Sequence, residues 1–339
     1  VTRRGYPRVS TVAGAVPAAV LALLLALVAG CTPGHRPGTG PAGTAPATAA
    51  PAGPAATTAG GLSPAPARVP GRVMFGSYLD LSGLTAAQSL ARRRAETGRD
   101  PRIVHLFYDW YDPLPDRVAL PAGAVLMLSW RGTFYRSIND GSADAMIVRD
   151  ARALVRYRLP VFLRWGWEMD GHWYDWSGAS NNQDPAGYVA AWRHLHDLFA
   201  AQGATNVAWV WSPNSRANPL VAWNATGNYY PGDSYVDWVG LSGYSYGRES
   251  PQYLFGTIVA GYGGRKPIMI AETGVSDSGG TTKPDWIAAL GAWIAAHPAV
   301  GALVWFDTDA GGGTNWRIDT SAAAIAAYRA LATAPLFGG

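Results

Sequence analysis

Eight short apolar runs, alternating with longer stretches of helical periodicity along residues 71–339, limit what this chain can fold into more than any other feature. The runs fall at 73–78, 103–108, 125–129, 161–164, 207–211, 238–242, 268–271 and 302–306. They are too short for buried helices and too continuously apolar for strands with one wet face. They read instead as parallel strands covered on both sides. Helical patterns occupy 85–97, 143–157, 185–201, 251–262, 284–296 and 321–332, while the connections after the second and fifth runs are irregular and carry proline (Asp112-Pro113-Leu114-Pro115; Ser212-Pro213-Asn214). Eight strands with crossover segments over about 270 residues match one (β/α)8 TIM barrel, for which roughly 250 residues is typical. An open doubly wound sheet is the rival architecture, but no glycine-rich dinucleotide turn follows the first run.

The chain before the barrel is of a different kind. Residues 1–30 read as a signal peptide: arginines at Arg3, Arg4 and Arg8, an apolar run over 18–29, then a small residue before the only cysteine, Cys31. A membrane-spanning helix needs about 20 apolar residues, more than this run supplies. Leu27-Val28-Ala29-Gly30-Cys31 resembles a bacterial lipobox, which implies cleavage before Cys31 and lipidation of its thiol. The expected location is the outer face of the cytoplasmic membrane, held by an N-terminal lipid anchor, or the extracellular space. Residues 31–70 read as a disordered linker, since 33 of the 39 residues after Cys31 are Pro, Ala, Gly or Thr and offer nothing periodic to bury.

Charge follows the same division. The formal net charge of the chain is +4, yet residues 1–70 hold five arginines and no acid, leaving 22 basic and 23 acidic residues for 71–339. A nucleic-acid role thereby loses its main support. All 15 tryptophans lie between Trp110 and Trp316, so the aromatic excess belongs to the barrel.

Chemistry in such a barrel gathers where strands end and βα loops begin. The chain has four glutamates. Glu96 ends an arginine-rich helix and Glu249 sits in a polar loop, and both read as surface charges. Glu168 and Glu272 each terminate a strongly apolar run, in Arg164-Trp165-Gly166-Trp167-Glu168 and in Met269-Ile270-Ala271-Glu272. A carboxylate there is costly unless paired or functional. Two carboxylates converging on one cleft suit glycosidic cleavage, one protonating the leaving oxygen and the other attacking or activating water. A separation of about 5 to 5.5 Å gives retention at the anomeric carbon, and about 6.5 to 9.5 Å gives inversion. Trp165, Trp167, Trp173, Tyr174 and Trp176 crowd the fourth strand end, and aromatic faces can stack on the C–H faces of sugars. Period-2 alternation would put Arg164, Gly166 and Glu168 on one side, Trp165 and Trp167 on the other.

These motifs resemble glycoside hydrolase family 26, known for β-mannanases and including mixed-linkage β-glucanases and β-1,3-xylanases. The resemblance covers most of 71–330. It is carried by Arg164 leading to Glu168-Met169-Asp170-Gly171-His172-Trp173-Tyr174-Asp175-Trp176, by Trp209-Val210-Trp211-Ser212-Pro213-Asn214, by Gly240-Leu241-Ser242-Gly243-Tyr244, by Ile270-Ala271-Glu272-Thr273-Gly274, and by Trp305-Phe306-Asp307 with Trp316-Arg317-Ile318-Asp319. It implies a retaining mechanism with Glu168 as acid/base and Glu272 as nucleophile. It further implies that Tyr244 bonds the nucleophile, Trp305 forms the floor under the sugar being cleaved, and Trp173 lines the neighbouring subsites. The family usually places His directly before the acid/base and Asn two residues after it. Here those positions hold Trp167 and Asp170, so Trp167 enters as a substrate-facing residue with a larger, mainly apolar surface and one donor.

Metal chemistry has little support in the sequence: six scattered histidines, with His194 and His196 on different helix faces, and Asp307, Asp309 and Asp319 as an acidic loop with Ca²⁺ the remote option. No Walker loop or complete G-x-S-x-G elbow is present. The expected protein is a monomeric, cofactor-free, exported endo-hydrolase of β-linked polysaccharide, with β-1,4-mannan the first substrate. The alternatives are another β-glucan, a β-xylan or an envelope glycan, and, outside enzymes, a surface glycan-binding lipoprotein.

Overall fold

A computed structural model describes residues 61–309 and 314–337. The expected signal peptide, Cys31 and most of the expected linker lie outside the described residues. Strands β1 (Met74–Asp80), β2 (Ile103–Tyr108), β3 (Val125–Trp130), β4 (Val161–Trp165), β5 (Val207–Trp211), β6 (Trp238–Ser245), β7 (Ile268–Val275) and β8 (Val300–Thr308) pair in parallel in chain order, and β8 closes on β1. The architecture is the (β/α)8 barrel that the apolar runs imply.

Around it lie α1 (Ala86–Thr97), α2 (Tyr135–Asn139), α3 (Asp144–Tyr157), α4 (Pro185–Ala201), α5 (Pro251–Tyr262), α6 (Thr282–Ala296) and α7 (Ala322–Thr333). The Pro-bearing connections after β2 and β5 hold no α-helix; the second contains only short 3-10 turns. Local chemistry sets the helix ends. Thr85 and Gln88 form a capping box on α1, and Ser250 and Ser321 cap the amides of Tyr253 and Ala324. Pro185 and Pro251 occupy first turns, where a missing N–H costs nothing.

Strand parity divides the core in two. Ile103, Met127, Phe162, Val210, Met269 and Val304 fill the barrel interior, and the opposite strand faces pack on the helices. The N-terminal mouth is covered by residues assigned above to the linker. Ala65 N donates to Thr205 O, and the buried interior Trp238 donates from Nε1 to Pro66 O at 3.0 Å. Ordered structure thus begins before residue 71, because an apolar barrel floor needs a cover.

Two local irregularities shape the C-terminal mouth. Between β6 and β7 the register moves from Leu241↔Ile270 to Ser242↔Glu272, so Ala271 is one residue extra. That bulge brings Ala271 and Glu272 both to the inner side, where strict alternation would turn one of them out. After β4, Gly166 (φ 52°) and Glu168 (φ 55°) take left-handed backbone, which ends the alternation at Trp165. Among the described residues, no helix is long and apolar enough to cross a membrane.

Candidate active site

The residue that organises the mouth is Arg164, the last inward-facing side chain of β4, with no exposed surface. Its Nη1 bonds Glu272 Oε1 and also donates to Ser129 Oγ at 3.1 Å; Nη2 donates to Ser242 Oγ at 2.6 Å. The indole of Trp167 covers the guanidinium at 5.3 Å. Behind Ser129, His105 Nε2 lies 2.6 Å from Oγ. Burial, and then the charge of Arg164, push the His105 pKa well down. A neutral imidazole accepts the Ser129 proton, leaving Oγ to accept from Arg164. Four strands therefore hold one cation still.

The two glutamates are in contrasting surroundings. Glu272 is fully buried, and while Oε1 takes the Arg164 bond, Oε2 accepts from Tyr244 OH at 2.7 Å. Two donors on two oxygens suit an ionised, acceptor-only carboxylate. Glu168 is 2% exposed, and its N–H donates to Ser212 O at 2.8 Å, which fixes the left-handed turn to β5. Burial first, and the nearby charge of Glu272 second, raise its pKa to about 7, while Arg164 and the bonds from Ser242 and Trp173 oppose the rise. Trp173 Nε1 donates to Glu168 Oε2 at 3.0 Å. One carboxyl group is thus kept near its protonated form beside another that accepts from two donors, the division of labour that acid-assisted displacement requires.

Asp170 anchors the loop that carries Glu168. It has no exposed surface; Oδ1 accepts from Asn214 N and Nδ2 at 2.9 and 3.0 Å, Oδ2 accepts from Thr226 Oγ1 at 2.7 Å, and its backbone oxygen accepts from Asn224 Nδ2. The acidic residue at this position binds the β5–β6 connection to the β4 turn.

Of the six side chains singled out in the mouth, Glu168, Glu272, Tyr244 and Trp173 come together there. Trp305 does not face the interior, contrary to its expected place as a sugar floor. It occupies the outward parity of β8, is fully buried, packs edge-on against Trp286 of α6 and Tyr328 of α7, and donates from Nε1 to Trp316 O at 2.9 Å. Trp167 is 1% exposed and packed between Arg164, Phe107 and Trp176, so it supports the site from behind. The expected alternation of Trp167 away from Arg164 also fails, because Gly166 reverses the chain between them.

A chain of aromatic rings backs the mouth, and of its members Tyr78, Phe107 and Phe306 were not among the candidates the sequence offered. Trp167, Phe107, Tyr78, Phe306, Tyr244 and Trp316 form a chain of ring contacts, each pair with centroids 4.7 to 5.8 Å apart. Parity was the available signal: Phe107 lies two residues after inward His105, and Phe306 two after inward Val304.

The three aspartates of the acidic loop are ion-paired. Asp307 and Asp319 bind Arg93, Asp319 also binds Arg92 and Arg317, and Asp309 lies against Arg317. Among the described residues no group of three or more His, Cys, Asp or Glu is placed to hold a metal.

Comparison with known proteins bears on the same residues. The family model for glycosyl hydrolase family 26 matches residues 129–333, which include both glutamates. Endoglucanase H of Acetivibrio thermocellus is 35% identical over 256 residues, 68% of this chain and 27% of that protein. A mannan endo-1,4-beta-mannosidase of Bacillus subtilis is 26% identical over 228 residues, 54% of this chain and 61% of that protein. The chain thus spans only part of these relatives. A family 26 β-mannanase structure from Bacteroides ovatus shares the fold at TM-score 0.60 and 18% identity, covering 78% of this chain and 89% of that one.

Proposed function

The chain belongs to glycosyl hydrolase family 26, and we propose that it is a retaining, endo-acting hydrolase of β-linked polysaccharide with β-1,4-mannan as first substrate. The observation that carries this is the pairing of a buried Glu168 with a raised pKa and a Glu272 held by Arg164 and Tyr244. In the proposed cycle a Glu272 oxygen attacks the anomeric carbon while Glu168 gives its proton to the departing glycosidic oxygen. The glycosyl–Glu272 ester then forms as the C–O bond to the leaving sugar breaks. Glu168, now ionised, takes a proton from water, and that water cleaves the ester to regenerate both groups.

Arg164 holds Glu272 oriented before attack. Tyr244 shares its proton with the same carboxylate, so one donor stays in place as negative charge leaves the attacking oxygen. A second substrate reading, a mixed-linkage or other β-glucan, is favoured by the similarity to Endoglucanase H. Export and lipid anchoring at Cys31, and action as a monomer, belong to the same proposal and rest on the leader sequence and a single-chain site.

A panel of mannans, β-glucans and xylans scored for product length tests the assignment. Internal cleavage of mannan is the expected result; cleavage of β-glucan alone would move the substrate to the second reading. Binding of a glycan with no release of reducing ends would favour a non-catalytic surface binder.

A further inference from the structure

Lys283 is placed where lysine is expensive. It lies in the first turn of α6, at the positive end of the helix dipole, and the N-cap Thr281 supplies no side-chain bond there. It has no exposed surface and makes no ion pair with a carboxylate of the described residues. Its Nζ donates instead to two backbone carbonyls, Arg317 O at 2.6 Å and Asn315 O at 3.4 Å. Those carbonyls flank Trp316. Burial lowers the Lys283 pKa to about 8, against the pull of Asp277, Asp307 and Asp319, so the ammonium form still dominates at neutral pH.

The segment so held reaches the nucleophile in two contacts. The Trp316 ring packs on Tyr244 at 4.7 Å and on Tyr246 at 5.4 Å, and Tyr244 OH bonds Glu272. Gly274, two residues after Glu272, leaves room for that ring: a Cβ there would lie 3.1 Å from it. The same segment is also held by Ile318 N donating to Asp307 and Trp316 N donating to Thr308 O. We propose that Lys283 is a positioning residue for the glycosylation step: by gripping the carbonyls on either side of Trp316, it sets the angle at which Tyr244 presents its hydroxyl to Glu272. This deepens the functional reading above and rests on it.

The test uses the full chain, with substitutions Lys283→Met and Lys283→Arg and dinitrophenyl and phenyl β-glycosides of mannobiose and cellobiose. Active sites are counted by covalent capture with the matching 2-deoxy-2-fluoro dinitrophenyl glycoside, so that unfolded protein does not enter kcat. Lys283→Met is expected to lose about tenfold in kcat/KM per titrated site, the parameter that reports glycosylation for either aglycon, to the same extent for good and poor leaving groups. Lys283→Arg, which can still donate to both carbonyls, should recover most of the loss. Trp316→Leu should show the same loss, and the double variant should be no worse than either single one.

An unchanged kcat/KM per titrated site in Lys283→Met would make the residue purely structural and overturn the inference. A loss in kcat/KM confined to the poor leaving group would place the defect at Glu168 and overturn it as well. A wild type that turns over neither sugar series refutes the functional reading itself, and the inference falls with it.

Discussion

Glu168 carries two separate costs: a left-handed backbone at φ 55°, worth on the order of 1 kcal/mol or more for a residue with a Cβ, and a buried carboxyl group. Because its folded pKa is raised from 4.5 to about 7, the folded state holds its proton more tightly than the unfolded chain does. The contribution is fully present below about pH 4.5 and is lost as pH rises through 7. Glu168→Gln has no such proton to lose. Its unfolding free energy relative to wild type should therefore grow by on the order of 3 kcal/mol between pH 4 and pH 8, read from denaturant titrations at the two values. A difference that does not change with pH would mean that Glu168 is not held near its protonated form. At this scale the sequence was informative about identity: a glutamate closing an apolar run is rare enough to notice. The cause of its altered acidity was not legible, because Arg164, Glu272 and Trp173 are its neighbours only in the folded chain.

At the scale of elements, strand existence and order were readable because each strand is buried on both faces and so continuously apolar. Side-chain direction was readable only where the strands stay regular. The bulge at Ala271 and the turn at Gly166 decide where Glu272 and Trp167 point, and neither leaves a mark in a run of apolar residues. The two tryptophans Trp173 and Trp305 separate the consequences. Trp173→Phe removes the indole N–H that favours the charged form of Glu168. Its loss should raise the Glu168 pKa and move the alkaline limb of the kcat/KM profile upward, with the limb set by loss of the acid's proton. Trp305→Phe removes a buried bond to Trp316 O and leaves a void among α6, α7 and β8. About 1 to 3 kcal/mol of stability should disappear in thermal or denaturant unfolding, with KM for the polysaccharide unchanged. A tenfold rise in KM in Trp305→Phe would restore it to the cleft.

For the whole molecule, the net charge of +4 comes from the arginines of residues 1–70, while residues 71–339 are close to neutral. What distinguishes the barrel is the arrangement of its buried charge. Arg164 draws β3, β4, β6 and β7 toward one point, Asp170 fastens the β5–β6 connection to the Glu168 turn, and the Arg93–Asp307–Asp319 cluster secures the chain after β8. Such groups stabilise only when every partner is present, so they exchange tolerance to substitution for a fixed geometry at the mouth. Ala65 and Pro66 look like spacer by composition, and only the barrel floor, through the Ala65–Thr205 and Trp238–Pro66 bonds, gives them a place.

The division of roles between Glu168 and Glu272 is tested most directly by following the anomeric configuration of freshly released reducing ends by proton NMR, with mannan and β-glucan oligosaccharides, for wild type and Glu272→Ala. Wild type should release the β-anomer first, with the α-anomer appearing only by mutarotation, and Glu272→Ala should release nothing above background. Initial release of the α-anomer, or undiminished hydrolysis by Glu272→Ala, would contradict a double displacement through Glu272.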